Sequence, residues 1–197
     1  MSRIDVAFAP AKPDDASVAV VIDVLRATTT IAYALAQGYE RVLACGDIDQ
    51  ARELARRVNG GAVLAGEREC VKPEGFDLGN SPREFEGPAL GTTLVITTTN
   101  GTRAIVTAAA HAETVAIGSL ANLTSCAARV GRAAEAIARG FESAGDGLAA
   151  SKSARNLRDA NLLDDVRFCA RESALDVVPM VADVDAGVAL ITAAPSR

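Results

Sequence analysis

Between Gly66 and Pro82 the chain reads GERECVKPEGFDLGNSP, seventeen residues that hold four acids, two bases, three glycines and two prolines. The apolar run Ala62-Val63-Leu64-Ala65 precedes it, so a strand delivers this polar stretch to the end of a sheet. Glu67 and Asp77 offer carboxylates to a cation, Arg68 offers a guanidinium to an anion, and Asn80 and Ser81 sit in turn chemistry just before Pro82. Magnesium prefers oxygen ligands and keeps several waters, so one or two carboxylates plus substrate oxygens suffice to hold it. Long loops of this composition are commonly functional.

Two further stretches repeat the pattern of strand, polar corner and helix start. In Val20-Val21-Ile22-Asp23-Val24-Leu25-Arg26-Ala27-Thr28-Thr29-Thr30 an apolar run ends on an acid, an arginine and a hydroxyl cluster. An acid flanked by Ile22 and Val24 needs a partner. Asp23 is placed to hold Mg²⁺ and Arg26 to hold an oxyanion. In Leu94 to Arg103 a second strand runs into Thr97, Thr98, Thr99, Asn100, Gly101 and Thr102, whose hydroxyls and helix-start N–H groups suit phosphate or sulfonate. No GxxxxGK[ST] occurs in the sequence, so this is not a Walker loop. Parallel strands would bring the three corners to one edge, and phosphoryl transfer needs mainly positioning, a divalent metal and cationic groups. The attacking group is then a metal-activated water or a carboxylate such as Asp23.

The elements that must hold these corners alternate strand and helix, which predicts a three-layer α/β fold with a mainly parallel sheet and flanking helices. Strands are expected at 4–8, 18–24, 41–45, 62–65, 93–97 and 114–117, with Val18 to Ile22 central and covered on both faces. Ile48, Ala51, Leu54, Ala55 and Val58 recur at helical spacing, and Asp47 can cap that helix. Further helices are expected at 28–36, 101–110 and 120–141. Residues 143–153 lose periodicity and read as a mobile connection; 155–171 reads as a helix, and 176–181 with 187–192 as short strands. This organisation gives a main α/β domain over 1–142, with 143–197 a connection and a C-terminal segment packing on the same domain.

Composition removes several classes. The 197 residues carry a net charge of −5, with a pI near 5.0, which argues against a general nucleic-acid or anionic-membrane binder. No run reaches the roughly 18 apolar residues that span a bilayer, and no basic-then-apolar leader opens the chain, so a cytoplasmic protein is expected. The four cysteines form no CxxC pair, which disfavours a zinc knuckle, and Cys45 and Cys169 read as buried thiols. A single histidine, His111, excludes multi-histidine metal sites.

VVIDVLRATTTI at 20–31, AGER at 65–68, GFDLGNSP at 75–82 and TTTNGTRA at 97–104 together resemble the 2-phosphosulfolactate phosphatase family. The resemblance extends to SKSARNLRDANLLDDVRFCA at 151–170 and DVVPMV at 176–181. It implies a Mg²⁺-dependent hydrolase that converts 2-phosphosulfolactate to sulfolactate and phosphate on the route to coenzyme M. It also implies a small phosphorylated, sulfonated or carboxylated substrate and a homodimer. By matching motif it places Asp23, Arg26, Glu67, Arg68, Asp77, Asn80 and the Thr97–Thr102 turn in the pocket.

After Asn122 the chain departs from the family pattern. The family continues there through another strand, a Gly-rich loop and a Glu-Asp pair that opens a helix; here GRAAEAIARGFESAGDGLAASKS runs straight towards the closing segment. If that pair helps to hold magnesium, a ligand is missing. Two readings therefore stand: a phosphatase, or a non-catalytic homologue that binds a small anionic ligand.

Overall fold

The computed structural model describes residues 6–7, 15–130 and 144–194. Their strands form one seven-stranded sheet. The chain runs β1 (Ala16–Ile22), α1 (Ala27–Ala36), β2 (Arg41–Cys45), α2 (Ile48–Arg57), β3 (Val63–Gly66), a 3₁₀ turn (Pro82–Phe85), β4 (Thr93–Thr97), α3 (Gly101–Ala109) and β5 (Ala112–Gly118). After a second 3₁₀ turn (Leu120–Asn122) come α4 (Leu123–Val130), α5 (Ala144–Ala150), α6 (Lys152–Asp159), α7 (Leu163–Cys169), β6 (Pro179–Asp185) and β7 (Val188–Ala193). Of the expected strand at 4–8 only residues 6 and 7 are described, and they are not in a strand; the part of the helix expected over 120–141 that follows Val130 lies outside the described residues.

The strand order is β1-β5-β6-β7-β2-β4-β3. Pairs β1/β5, β2/β4 and β3/β4 are parallel, whereas β5/β6, β6/β7 and β7/β2 are antiparallel. The sheet is thus an α/β sheet of two parallel groups joined by the C-terminal β6–β7 hairpin. Because three successive junctions are antiparallel, the two groups run in opposite senses across the hairpin. Strand polarity alone therefore does not collect their carboxyl ends on one edge, and β5 meets β6 through the single pair Ala116–Met180. What brings the corners together is the helical layer: α3 packs on β1, β5 and β2, and α1 on β5, β2 and α3.

Helix α1 is buried from Ala27 to Leu35, and Ile31, Tyr33, Val42, Leu94, Ile96, Ile105, Ile117 and Ile191 form the main core around it. The surface helix α2 follows the sequence expectation. Asp47 Oδ1 accepts from the N–H groups of Asp49 (2.8 Å) and Gln50 (3.1 Å), and Arg56 and Arg57 close the last turn.

Three expectations are corrected. β1 is not central: it ends the strand order, and Val18 and Ile22 are each 45% exposed. An unbroken apolar run marks a buried strand only when both faces are covered. Residues 144–150 form a helix rather than a mobile connection, because Leu148 packs with Ala154, Leu157, Leu162 and Val166, and tertiary packing overrides the local glycines. The helix expected over 155–171 is two helices. Asn161 takes φ 58°, and Leu162 N–H bonds Leu157 O at 2.7 Å, a left-handed stop that Asn tolerates without glycine. Among the described residues no helix is long and apolar enough to cross a membrane.

Gly66 closes β3 at φ 151°, and a Cβ on it would collide with the carbonyl oxygen of Thr97 on the paired strand. Gly66→Ala should therefore lose about 3 kcal/mol or more, combining backbone strain with a clash that neither strand can relieve. Thermal melting checks this; a melting temperature within about 2 °C of wild type contradicts it.

Candidate functional site

The corner after β1 is built by the threonines of α1. Thr28 Oγ1 accepts from Asp23 N–H at 3.0 Å, and Thr28 N–H returns a bond to Asp23 O at 3.1 Å. Thr29 Oγ1 donates to Val24 O (2.9 Å), and Thr30 Oγ1 donates to Asn80 O (3.0 Å), tying this corner to the 66–82 loop. Short hydroxyl side chains serve here because those of Thr28 and Thr29 satisfy backbone groups of the turn that a buried helix start would leave orphaned, while that of Thr30 satisfies a carbonyl of the neighbouring loop.

Glu67 follows Gly66 and is buried, with both oxygens committed to backbone donors. Its Oε2 accepts from Cys70 N–H (2.9 Å) and its Oε1 from Thr99 N–H (2.8 Å), so one carboxylate joins the corners after β3 and β4. The Cys70 bond closes a tight hairpin in which Arg68 and Val71 exchange two 2.9 Å backbone bonds around Glu69 (φ 52°) and Cys70 (φ 68°), as a two-residue primed turn requires.

Asp23 lies against the start of α3. A Cβ on Gly101 would fall 2.5 Å from Asp23 Oδ2 and would collide with Ala27 Cβ, so only glycine lets α3 begin there. Burial, with the Glu67 charge second, pushes the Asp23 carboxyl up to about 6, against the opposing pull of the Ala27 N–H and the Arg26 charge. Asp23 and Glu67 thus both lie at the start of α3, where negative charge is favoured.

Two arginines have defined partners. Arg26 is 4% exposed; its Nη1 donates to Asp165 Oδ2 at 2.8 Å and its Nη2 to Cys70 O at 3.4 Å. Asp165, 1% exposed on α7, accepts from Ser81 Oγ at 2.7 Å with its other oxygen. Arg68 Nη1 donates to Glu67 O (2.7 Å), and Nη2 to Gly46 O (3.1 Å) and Thr97 Oγ1 (2.9 Å). Asp165 is a functional-corner residue beyond those expected from the sequence. Its signal was its place among Leu162, Val166 and Cys169 at helical spacing, since a carboxylate on an apolar face demands a buried partner.

The remaining expected residues divide. Thr98 and Thr102 bond each other reciprocally, each N–H to the other's hydroxyl at 3.1 Å, and Thr97 is held by Arg68; these three are buried, while Thr99 and Asn100 are exposed. Asn80 is buried, and its side-chain oxygen has no partner among the described residues.

Asp77 is exposed and accepts from Leu64 N–H at 2.8 Å, while its own N–H bonds Leu64 O at 2.9 Å. It dresses the free edge of β3, where no further strand pairs among the described residues. No group of three His, Cys, Asp or Glu side chains able to hold a metal ion exists among the described residues. The expected trio Asp23, Glu67 and Asp77 is therefore not assembled, and two carboxylates remain.

Other titratable groups stand apart. Burial pushes the Cys45 thiol up to about 11 and the Cys169 thiol up to about 12, so neither is a nucleophile near neutral pH. His111 Nδ1 lies 3.0 Å from Asp15 beyond the last turn of α3, at the opposite end from Gly101.

Fold and site together define an α/β protein with a paired-carboxylate, arginine-flanked corner at a helix N-terminus. The 2-phosphosulpholactate phosphatase family model matches residues 7–139, and the chain belongs to that family. A probable 2-phosphosulfolactate phosphatase from Carboxydothermus hydrogenoformans is 45% identical over 127 residues, covering 64% of this chain and 52% of the relative. Proteins of the same description from Thermotoga petrophila and Thermotoga maritima are each 47% identical over 103 residues, covering 52% of this chain and 44% of theirs. The matched segment spans about half the length of these curated relatives.

Removing the Asp165 carboxylate leaves the Arg26 guanidinium buried and unpaired. Asp165→Ala should cost about 3–5 kcal/mol, and the double variant Arg26→Met with Asp165→Leu should be more stable than either single variant. Urea unfolding measures both; a single-variant loss below about 1 kcal/mol contradicts the pair as an anchor. Asp23 behaves in the opposite way. Its folded-state affinity for a proton exceeds that of the unfolded chain, so stability falls as pH rises from about 4 through 6 and stays reduced above. Asp23→Asn should melt a few degrees above wild type at pH 8 in metal-free buffer, with the gain gone near pH 4. A pH-independent difference overturns this.

Proposed function

We propose that the chain is a phosphatase acting on 2-phosphosulfolactate or a similar small phosphorylated hydroxy acid, with Asp23 and Glu67 holding Mg²⁺. The observation that carries the reading is the Asp23–Glu67 carboxyl pair at the first turn of α3. Two desolvated carboxyl groups that repel each other fit a hard divalent cation, which takes oxygen ligands and completes its shell from water and substrate. When bound, the ion would supply charge neutralisation at the phosphoryl oxygens.

The chain's own groups do the positioning. The α3 N-terminus presents its positive end to a phosphoryl group, and the exposed Thr99 and Asn100 line the approach. Arg68, fixed by three acceptors, places a positive charge beside Thr97 without freedom to swing. Arg26 is held by Asp165 and so acts on the pocket through the corner it braces. Asp23, as a carboxylate, is suited either to attack or to accept a proton from water. Asn80 brings a buried amide oxygen without a partner among the described residues to the same loop.

The second reading, a homologue that binds a small anion without turnover, is favoured by one observation: no third carboxylate joins Asp23 and Glu67 among the described residues. Phosphate release from 2-phosphosulfolactate with Mg²⁺, with chelator, and by Asp23→Asn separates the two. The phosphatase reading expects release that chelation stops and that falls at least about 100-fold in the variant. Release no faster than that of Asp23→Asn, with thermal stabilisation by sulfolactate, supports the binding reading instead.

A further inference from the structure

Three arginines stand at the corners that surround the Asp23–Glu67 pair, and they are not equivalent. Arg26 is neutralised by Asp165, and Arg68 is engaged by three acceptors. Arg103 is exposed and makes no hydrogen bond or ion pair among the described residues. Its place in the fold is defined by the start of α3. It lies in the first turn of α3, two residues beyond Gly101, which abuts Asp23, and four beyond Thr99, whose N–H holds Glu67. Its stem crosses Gly46, where a Cβ would lie 3.3 Å from Arg103 Cγ and 3.7 Å from Nε. The carbonyl of Gly46 takes Arg68 Nη2, so Arg68 and Arg103 flank one residue. The nearby Asp47 feels both charges, but its Oδ1 caps α2, and no ion pair joins it to Arg103.

A guanidinium whose stem passes over Gly46, with its fork unengaged and the acid pair within a turn of helix, is available to a ligand anion. 2-Phosphosulfolactate carries three anionic groups: phosphate, carboxylate and sulfonate. A phosphoryl group at the acid pair leaves the others in need of cations, and Arg103 is the uncommitted one. We infer that Arg103 is a specificity-determining residue that receives the sulfonate of the substrate. The inference rests on the phosphatase reading for the substrate's identity. Its site, a free arginine over Gly46, is a separate observation.

The test compares wild type, Arg103→Ala and Arg103→Lys on 2-phosphosulfolactate and on 2-phospholactate, which has hydrogen in place of the sulfonate, and measures sulfolactate binding by calorimetry. Wild type should prefer the sulfonated substrate. Arg103→Ala should lose about 10- to 100-fold in kcat/KM on it, mostly in KM, as expected for loss of a charge-assisted hydrogen bond, and the preference should collapse towards one. Arg103→Lys should fall between, and sulfolactate affinity should drop by a similar factor in Arg103→Ala. Equal losses on both substrates, or unchanged sulfolactate affinity, overturn the assignment. If wild type hydrolyses neither compound, the phosphatase reading fails and calorimetry alone decides: binding lost in Arg103→Ala supports Arg103, whereas binding retained, or absent from wild type, overturns it.

Discussion

The buried ion pair between Arg26 and Asp165 is the constraint on which the site geometry depends. At 2.8 Å and almost fully excluded from solvent, it fixes the corner after β1 to a helix 139 residues further along. Asp165 also takes the Ser81 hydroxyl, and Arg26 reaches the Cys70 carbonyl, so the pair reaches both ends of the 66–82 loop. A hydrophobic substitute of equal volume could supply as much stability. It could not supply direction, because an aliphatic contact does not specify which carbonyl and which hydroxyl meet. The closing segment is therefore part of the site's scaffold.

Against that stabilising pair stands a destabilising one. Asp23 is raised to about 6 by burial and by Glu67, which means that the fold bears an electrostatic penalty at neutral pH. Glu67 is anchored by two backbone N–H groups, while Asp23 has Ala27 and the α3 N-terminus beside it. Such strain persists where the surrounding structure over-determines it.

Much of this was legible in the sequence, and the illegible part has a physical cause. The strands 41–45, 62–65 and 93–97, the Asp47 cap and the start of α3 were readable because local periodicity and capping chemistry decide them. The polar corners stand out in the sequence because an acid or a hydroxyl cluster follows an apolar run, but nothing local separates a ligand group from one that bonds its own turn. The partners of those corners were not legible. Asp77 looks like a ligand, but it completes the edge of β3; whether that edge is free depends on strand order, which no local pattern encodes. Asp165 looks like half of a solvated DD pair, although Asp164 is the exposed member and Asp165 is buried. The exposed edge of β1 and the helix at 144–150 were missed for the same reason: each is settled by what packs against it.

The strand order changes how the convergence should be understood. In a uniformly parallel sheet the carboxyl ends share an edge by construction, and the helices could vary without moving the site. Here the two parallel groups run oppositely, with the β6–β7 hairpin between them, so nothing in the ladder brings Asp23 to Glu67. Their approach depends on α1 and α3, both packed against the sheet, and on Gly101 allowing α3 to begin against Asp23 and Ala27. It follows that the threonines which open α1 and pair within the start of α3 are structural determinants of the site, even where their hydroxyls never face a ligand. Their recurrence in the two corner motifs has a physical reason, since small hydroxyl side chains pack closely while satisfying the backbone of a buried turn.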